Sequence, residues 1–378
     1  MRAREYGIRI GQGTPGSLNA ITDVAGVRVG HRTLIEGSGP LVVGQGPVRT
    51  GVTVIVPPGR VWERPFFAGA HRLNGNGEMT GLEWVRESGM LTTPVALTNT
   101  HSVGVVRDAL LAEMLAANPG QGSEWSLPVV AETWDGLLND LNGFHVRPEH
   151  VREAFAAANE GQVDEGTVGS GTGMICHGFK GGIGTASRVL AEADGGHTVG
   201  VLVQANHGRR ERFAVNGVPV ARALEDIPLP GAPGAESDTG GPRSADGAGS
   251  IIVIVATDAP LLPHQCTRLA QRAGLGVARV GGVGEHTSGD LFLCFATGNR
   301  GMTAGGIDEQ APLTFPLSML SDVYITPLFD AVVEATEEAI VNAVLGATTL
   351  EGRDGIVAHA LPGERLVQAL AGHGGRPA

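Results

Sequence analysis

The chain is poor in groups on which several protein classes depend. Only 4% of its 378 residues are aromatic. Close packing must therefore come from Ala, Val, Leu and Ile, and from backbones approaching one another at some of the 59 glycines. Those glycines show no three-residue period, which excludes a collagen-like chain. The three cysteines, Cys176, Cys266 and Cys294, form neither an even set nor a CxxC spacing. No disulfide framework is expected, and a reducing, cytoplasmic setting fits. Lys and Arg number 27 against 39 Asp and Glu, a formal net charge of −12. Sequence-independent nucleic-acid binding and docking on an anionic membrane both need clustered positive charge, so neither partner is expected. No apolar run approaches the roughly 18 residues of a spanning helix. The charged N-terminus, MRAREYGIRIGQG, is followed by no apolar stretch of the signal-peptide kind.

Familiar catalytic signatures are also missing. GQGTPG at 11–16 has the letters of a dinucleotide fingerprint, but Pro15 and the lack of a helical pattern after it remove the required context. There is no GxxxxGK[ST] phosphate loop, no GxSxG nucleophile elbow and no HExxH. The histidines are scattered without ligand spacing, so neither a metal nor a cofactor is expected.

What is present is 42% apolar and 17% charged, enough for a substantial core in one large or two ordinary domains. Apolar runs at 51–57 (GVTVIVP), 95–99, 199–205 (VGVLVQA), 250–257 (SIIVIVAT) and 290–297 (DLFLCFAT) predict strands, several buried on both faces. Helical patterns lie between them. One spans 108–118 and stops at Pro119-Gly120, and one spans 148–159. A third face runs through Leu262, Cys266, Leu269, Ala270 and Ala273 to a stop at Gly274. A fourth starts at Thr326-Pro327 and stops at Gly346. The mix is α/β, with helices layered on sheet. The segment 231–249 (GAPGAESDTGGPRSADGAG) has almost nothing to bury and predicts a mobile surface loop.

That loop runs directly into the most apolar strand, which begins with Ser250. Breaking the Gly249-Ser250 bond would give Ser250 a free α-amine beside its own hydroxyl. Such an amine, with a pKa of about 7.7–8, is partly neutral at pH 7 and can serve as a base. Gly249 would permit the tight turn that brings the hydroxyl to its carbonyl. Read alone, Gly-Ser is more often an ordinary loop end, since the pair is common.

GSGTGMICHGFKGGIGTASR at 169–188 resembles the glycine-rich segment of the L-aminopeptidase/D-amidase/D-esterase family, which includes the β-peptidyl aminopeptidases. So do NAITDVAGVRVGH (19–31), AETWDGLLNDLNG (131–143), VGVLVQANHG (199–208), GSIIVIVATDAPLLPHQ (249–265) and HTSGDLFLCFATGN (286–299), in that order along the chain. The resemblance implies a precursor that cleaves itself between Gly249 and Ser250 into parts 1–249 and 250–378, which together form one catalytic domain. It implies an αββα four-layer sandwich, like that of N-terminal-nucleophile hydrolases but with different connectivity. Ser250 would be the nucleophile, Ser288 and Asp290 a hydroxyl–carboxylate relay, and Asn206 the oxyanion donor. Glu132 would bind the substrate's α-ammonium, with Asp135 next in line. Trp134 stands where relatives carry Tyr; an indole can donate a hydrogen bond but not accept one. His207 and His286 flank these positions and raise a Ser-His-Asp alternative, which the freed amine makes unnecessary. Cys176 and Cys294 read as small core fillers.

The resulting expectation is a self-processing aminopeptidase acting through an acyl-enzyme. Its substrates would be short peptides, amides or esters with a small, free-amine N-terminal residue, D-residues and β-peptides among the candidates. Tetramers of cleaved protomers are implied. The alternatives are acyl transfer like that of ornithine acetyltransferases, whose nucleophile is usually Thr, and an uncleaved binding protein.

Overall fold

A computed structural model describes residues 1–117, 125–231, 249–303 and 312–372. Pro119-Gly120 and residues 232–248, where the sequence predicts a helix stop and a mobile linker, lie outside the described residues.

Two sheets carry the architecture. The first has the order β1 (Arg28–Glu36), β2 (Val48–Val56), β5 (Val95–Asn99), β6 (Val129–Thr133). The second runs β4 (Met90–Leu91), β3 (Phe66–Gly75), β14 (Gly289–Ala296), β13 (Ser250–Thr257), β10 (Thr198–Asn206), β9 (Gly182–Val189). Short ribbons β7/β8 (Ile175–Cys176 and Phe179–Lys180), β11/β12 (Ala214–Val215 and Val218–Pro219) and β15/β16 (Leu350–Glu351 and Val357–Ala358) decorate them. Helices α2 (Val103–Ala116) and α3 (Pro148–Ala156) cover the first sheet, and α4 (Pro263–Arg279) and α5 (Thr326–Leu345) the second. α1 (Leu82–Ser88) and α6 (Gly363–Gly372) are peripheral.

Three apolar layers glue these four. Ile55, Leu97, Leu202, Ile252 and Leu293 pack between the sheets. Val201, Val253, Phe292, Leu269 and Ile340 fill the space under α4 and α5. Val52, Val106, Leu110 and Val151 fill the space under α2 and α3. Strand β13 sits between two such layers, so all eight of its residues are buried. This explains why its sequence reads as an unbroken apolar run rather than an alternation. The αββα sandwich is therefore realised. Among the described residues no helix is long and apolar enough to cross a membrane.

Strands β1, β3 and β6 are absent from the sequence reading, and two further departures have glycine as their cause. α4 does not stop at Gly274 but continues to Arg279. A Cβ on Gly276 would lie 2.6 Å from Cβ of Thr336, so that glycine lets α4 close on α5 instead of ending the helix. Strand β9 escapes a hydrophobic-run search because Gly182 and Gly184 interrupt it. A Cβ on Gly184 would meet the Ala339 carbonyl of α5 at 1.9 Å, so the gap in the pattern is itself a packing contact.

Candidate active site

Ser250 opens β13 between two partners. Asn206, the last residue of β10, is its antiparallel cross-strand neighbour. On the other side Ile251 is in register with Asp290 of the parallel strand β14. Register alone thus gathers three positions that lie dozens of residues apart in sequence. The Ser250 hydroxyl oxygen accepts the Gly289 amide at 2.9 Å. Ser288 donates to Asp290 Oδ1 at 2.5 Å, and the Ile251 amide reaches the same oxygen at 3.2 Å. The Asp290 amide in turn donates to Asn74 at 2.8 Å. Burial pushes the Asp290 carboxyl up to about 6, against the Ser288 and Ile251 hydrogen bonds that favour its charged form. Ser250, Ser288 and Asp290 are all buried.

The Asn206 amide is held at both ends. Its oxygen accepts the Ile175 amide at 2.8 Å, and its nitrogen donates to the Trp134 carbonyl at 2.9 Å. Gly249 lies against it: a Cβ there would sit 1.8 Å from the Asn206 carbonyl and 3.2 Å from the side-chain nitrogen. Close approach to Asn206 is thus a reason for glycine before Ser250 that the turn argument did not supply.

Glu132 reaches this centre from the other sheet. Its Oε1 accepts the Glu78 amide at 2.9 Å and its Oε2 the Thr100 hydroxyl at 2.5 Å. It is 3% exposed, and burial raises its pKa. Gly77 links it to the nucleophile: a Cβ there would touch Gly289 Cα at 3.0 Å and Glu132 Oε1 at 3.2 Å. Beneath, Gln204 of β10 donates to the Thr98 carbonyl and the Thr133 hydroxyl, tying the two sheets together.

Three readings gain detail. Trp134 meets Asn206 through its carbonyl, while its ring, 38% exposed, lies over Gly136. Asp135 is a buttress: it accepts both Asn99 and Asn139 amides, at 3.0 and 3.1 Å, in full burial. A Ser-His-Asp arrangement is not formed, since His286 is exposed and the His207 ring lies against Cys176 and His177. Thr100, Glu78 and Gly77 escaped the sequence reading. Thr100 had a faint signal, as it directly follows the strand beside β6, but the Glu78 contribution is a backbone amide and has none. Scattered in sequence, Cys176, His177 and His207 converge in space with donor atoms within 4.8 Å of one another.

Residues 19–358 match the model of peptidase family S58. The chain belongs to this family. It is an enzyme, a serine-type aminopeptidase on a variant of the N-terminal-nucleophile hydrolase fold. It is 49% identical over 368 residues to the beta-peptidyl aminopeptidase BapA of Sphingosinicella microcystinivorans, covering 97% of this chain and 90% of that one. The BapA of Sphingosinicella xenopeptidilytica is 42% identical, over 98% and 90%. Among solved structures, a Burkholderia sp. beta-aminopeptidase superposes with a TM-score of 0.91 at 54% identity, over all of both chains. The L-aminopeptidase D-Ala-esterase/amidase of Ochrobactrum anthropi, described as a prototype for the serine aminopeptidases and a variant of the Ntn hydrolase fold, gives 0.87 at 41%, over 99% of both.

Proposed function

We propose that the chain is a precursor that cuts itself between Gly249 and Ser250, and that the two parts, 1–249 and 250–378, stay together as one aminopeptidase. In the cutting step the Ser250 hydroxyl attacks the Gly249 carbonyl, the acyl group moves from nitrogen to oxygen, and water cleaves the ester. The freed Ser250 amine then takes the proton of its own hydroxyl as that oxygen attacks a substrate carbonyl. Asn206 and the Gly289 amide are the neutral donors nearest the developing charge. Ser288 and Asp290 carry the proton toward the leaving amine. Water releases the acyl group and restores Ser250.

Glu132 supplies the selectivity for a free N-terminus. A buried carboxylate held only by neutral donors gains most from an ammonium, and an acylated amine forfeits that gain. The substrates we propose are short peptides and amides with a small N-terminal residue, β-amino acids included, because the similar BapA proteins carry that activity in their names. Assembly into tetramers of cleaved protomers is part of the reading. The exposed side chains of Leu313, Val323 and Tyr324 support an assembled state. A cytoplasmic location is supported by three unpaired, buried cysteines.

The observation that carries the reading is the juxtaposition of Ser250 with Asn206, Gly289 and Asp290 at one strand end. The chain holds a single lysine, Lys180, fully buried and donating to the Gly171 and Gly181 carbonyls. An amine-reactive tag therefore reads chain termini almost alone. Intact-mass analysis should show two fragments, the second tagged at Ser250, and Ser250→Ala should give one uncut, inactive chain. Cleavage of that variant at the same bond would refute self-processing.

A further inference from the structure

Behind the Asn206 amide lies a cluster that the reaction does not use. Cys176 of β7, His177 after it, and His207 after Asn206 are buried, with exposures of 0%, 0% and 3%. Cys176 Sγ is 3.8 Å from His207 Nδ1, and the two imidazole centres are 5.2 Å apart. His177 Nδ1 lies 3.1 Å from the Arg209 carbonyl. A carbonyl only accepts, so the proton is on Nδ1 and the Nε2 of His177 carries a bare lone pair. Among the described residues, that Nε2 and the Nε2 of His207 are buried without a hydrogen-bond partner. Buried polar atoms are ordinarily satisfied. An imidazole that donates one N–H to a carbonyl and aims the other nitrogen inward is the arrangement of a metal-bound histidine. His177 also holds a left-handed backbone, at φ +49°, which a non-glycine residue keeps only where its surroundings impose it.

We propose that Cys176, His177 and His207 bind one soft, singly charged metal cation, of which cuprous copper is the representative, and that its binding inhibits the enzyme through Asn206. Thiolate and imidazole together favour soft metals over Mg²⁺ or Ca²⁺. Charge decides between a monovalent and a divalent ion. On binding, the S–H bond breaks, the S–metal bond forms and the proton leaves to solvent. A monovalent cation therefore leaves the net charge of the site unchanged, with no change of oxidation state. A divalent ion would add one positive charge to a cluster that, among the described residues, holds no carboxylate.

Inhibition follows from the connections. Metal–ligand bonds of about 2.0–2.3 Å hold the donor atoms of a three-coordinate site about 3.5–4 Å apart. Any pair of donor atoms farther apart than that, up to the 4.8 Å within which all three lie, is drawn together. The Ile175 amide that orients Asn206 precedes Cys176, and His207 follows Asn206. Contraction therefore pulls on both sides of the amide that faces the reacting carbonyl.

The test uses the purified, cleaved enzyme without oxygen, loaded with Cu(I) in competition with a cuprous chelator. X-ray absorption should show one sulfur and two nitrogens around one copper. Hydrolysis of alanine p-nitroanilide should lose kcat about tenfold or more with KM nearly unchanged, as expected for a disturbed oxyanion donor, and excess chelator should restore it. Cys176→Ala should keep its activity and be insensitive to copper, whereas Cys266→Ala/Cys294→Ala should respond as wild type. A two-sulfur shell, copper retained in Cys176→Ala, or Zn(II) bound in place of Cu(I) overturns the proposal. A one-sulfur, two-nitrogen copper at full activity overturns the inhibition. The inhibition rests on the proposed role of Asn206. The coordination measurement does not, so failure of one is distinguishable from failure of the other.

Discussion

Two buried polar regions of this molecule handle carboxylates in opposite ways. Where the N-terminal segment crosses α5, every buried carboxylate meets a guanidinium. Glu338 is paired with Arg4 and Arg188 at 2.8 Å each, Glu334 with Arg188 at 3.0 Å, and Glu165 with Arg2 at 2.6 Å. At the strand ends around Ser250, Glu132 and Asp290 are as deeply buried but, among the described residues, are held by hydroxyls and backbone amides alone. Burial pushes the Glu165 carboxyl up to about 7 even against Arg2, whereas against burial the Gln12 and Gly13 amides and Arg188 hold Glu334 below the ordinary carboxylate range. The difference is therefore the counter-ion. The first region is neutralised from within the chain and serves the fold. On the proposed function, the second keeps its negative charge available for a cation that arrives, a substrate ammonium at Glu132 or the freed Ser250 amine near Asp290.

The largest effect should come from breaking the internally neutralised region. Arg188→Met leaves Glu334 without its cation and Glu338 with half of its pairing, and should lower unfolding free energy by about 3–5 kcal/mol. Urea unfolding measures this. A loss below ~1 kcal/mol would mean that water or rearrangement replaces the pair.

The site carboxylates should behave in the reverse sense. Asp290 titrates near 6 in the fold against an ordinary 3.8, so the native state holds its proton more tightly than the unfolded chain. Its charged form opposes folding above about pH 6, and this penalty fades as pH falls toward 3.8. Asp290→Asn in the uncut Ser250→Ala background should thus raise the melting temperature at pH 7.5, with the gain gone near pH 4. A gain that grows at low pH would reverse the sign of the argument. In the cleavable chain the same change, like Ser288→Ala, should slow hydrolysis by about 10²-fold or more. Wild-type rates in both would remove the relay.

A smaller effect is expected at Thr100. Thr100→Val removes the hydroxyl hydrogen bond that orients Glu132 and should raise KM for a free-amine substrate about threefold to tenfold, with kcat little changed. An equal fall in kcat would place Thr100 in the chemical step instead.

Strand β13 and its opening Ser250 were legible because a strand buried on both faces shows itself as an apolar run. Ser288, Asp290, Asn206 and Glu132 were singled out only through the family resemblance, and their roles belong to the proposed function. Nothing in the local pattern of an SGD turn or of an Asn at a strand end marks chemistry. Register brings them together, and register is set by pairing between strands far apart in sequence. Strand β9 and the run of α4 past Gly274 were hidden because glycine serves close packing there, while the same letter elsewhere ends elements. The Glu78 amide and the Trp134 carbonyl were beyond reach, since backbone groups act whatever side chain they carry. The convergence of Cys176, His177 and His207 depends on the β7 ribbon folding beside the end of β10, which no spacing rule contains.

The counter-ion claim is tested most directly by kcat/KM of wild type and Glu132→Gln on alanine p-nitroanilide and its N-acetyl derivative. A charge-assisted hydrogen bond is worth about 1.5–3 kcal/mol, so the free-amine substrate should lose roughly ten- to a hundredfold while the acetylated one loses nothing. Self-cleavage should persist, because the precursor presents no free amine there. Equal losses on both substrates, or a chain that no longer processes, would show that Glu132 serves the fold as the arginine-paired carboxylates do, and that the ammonium is read elsewhere.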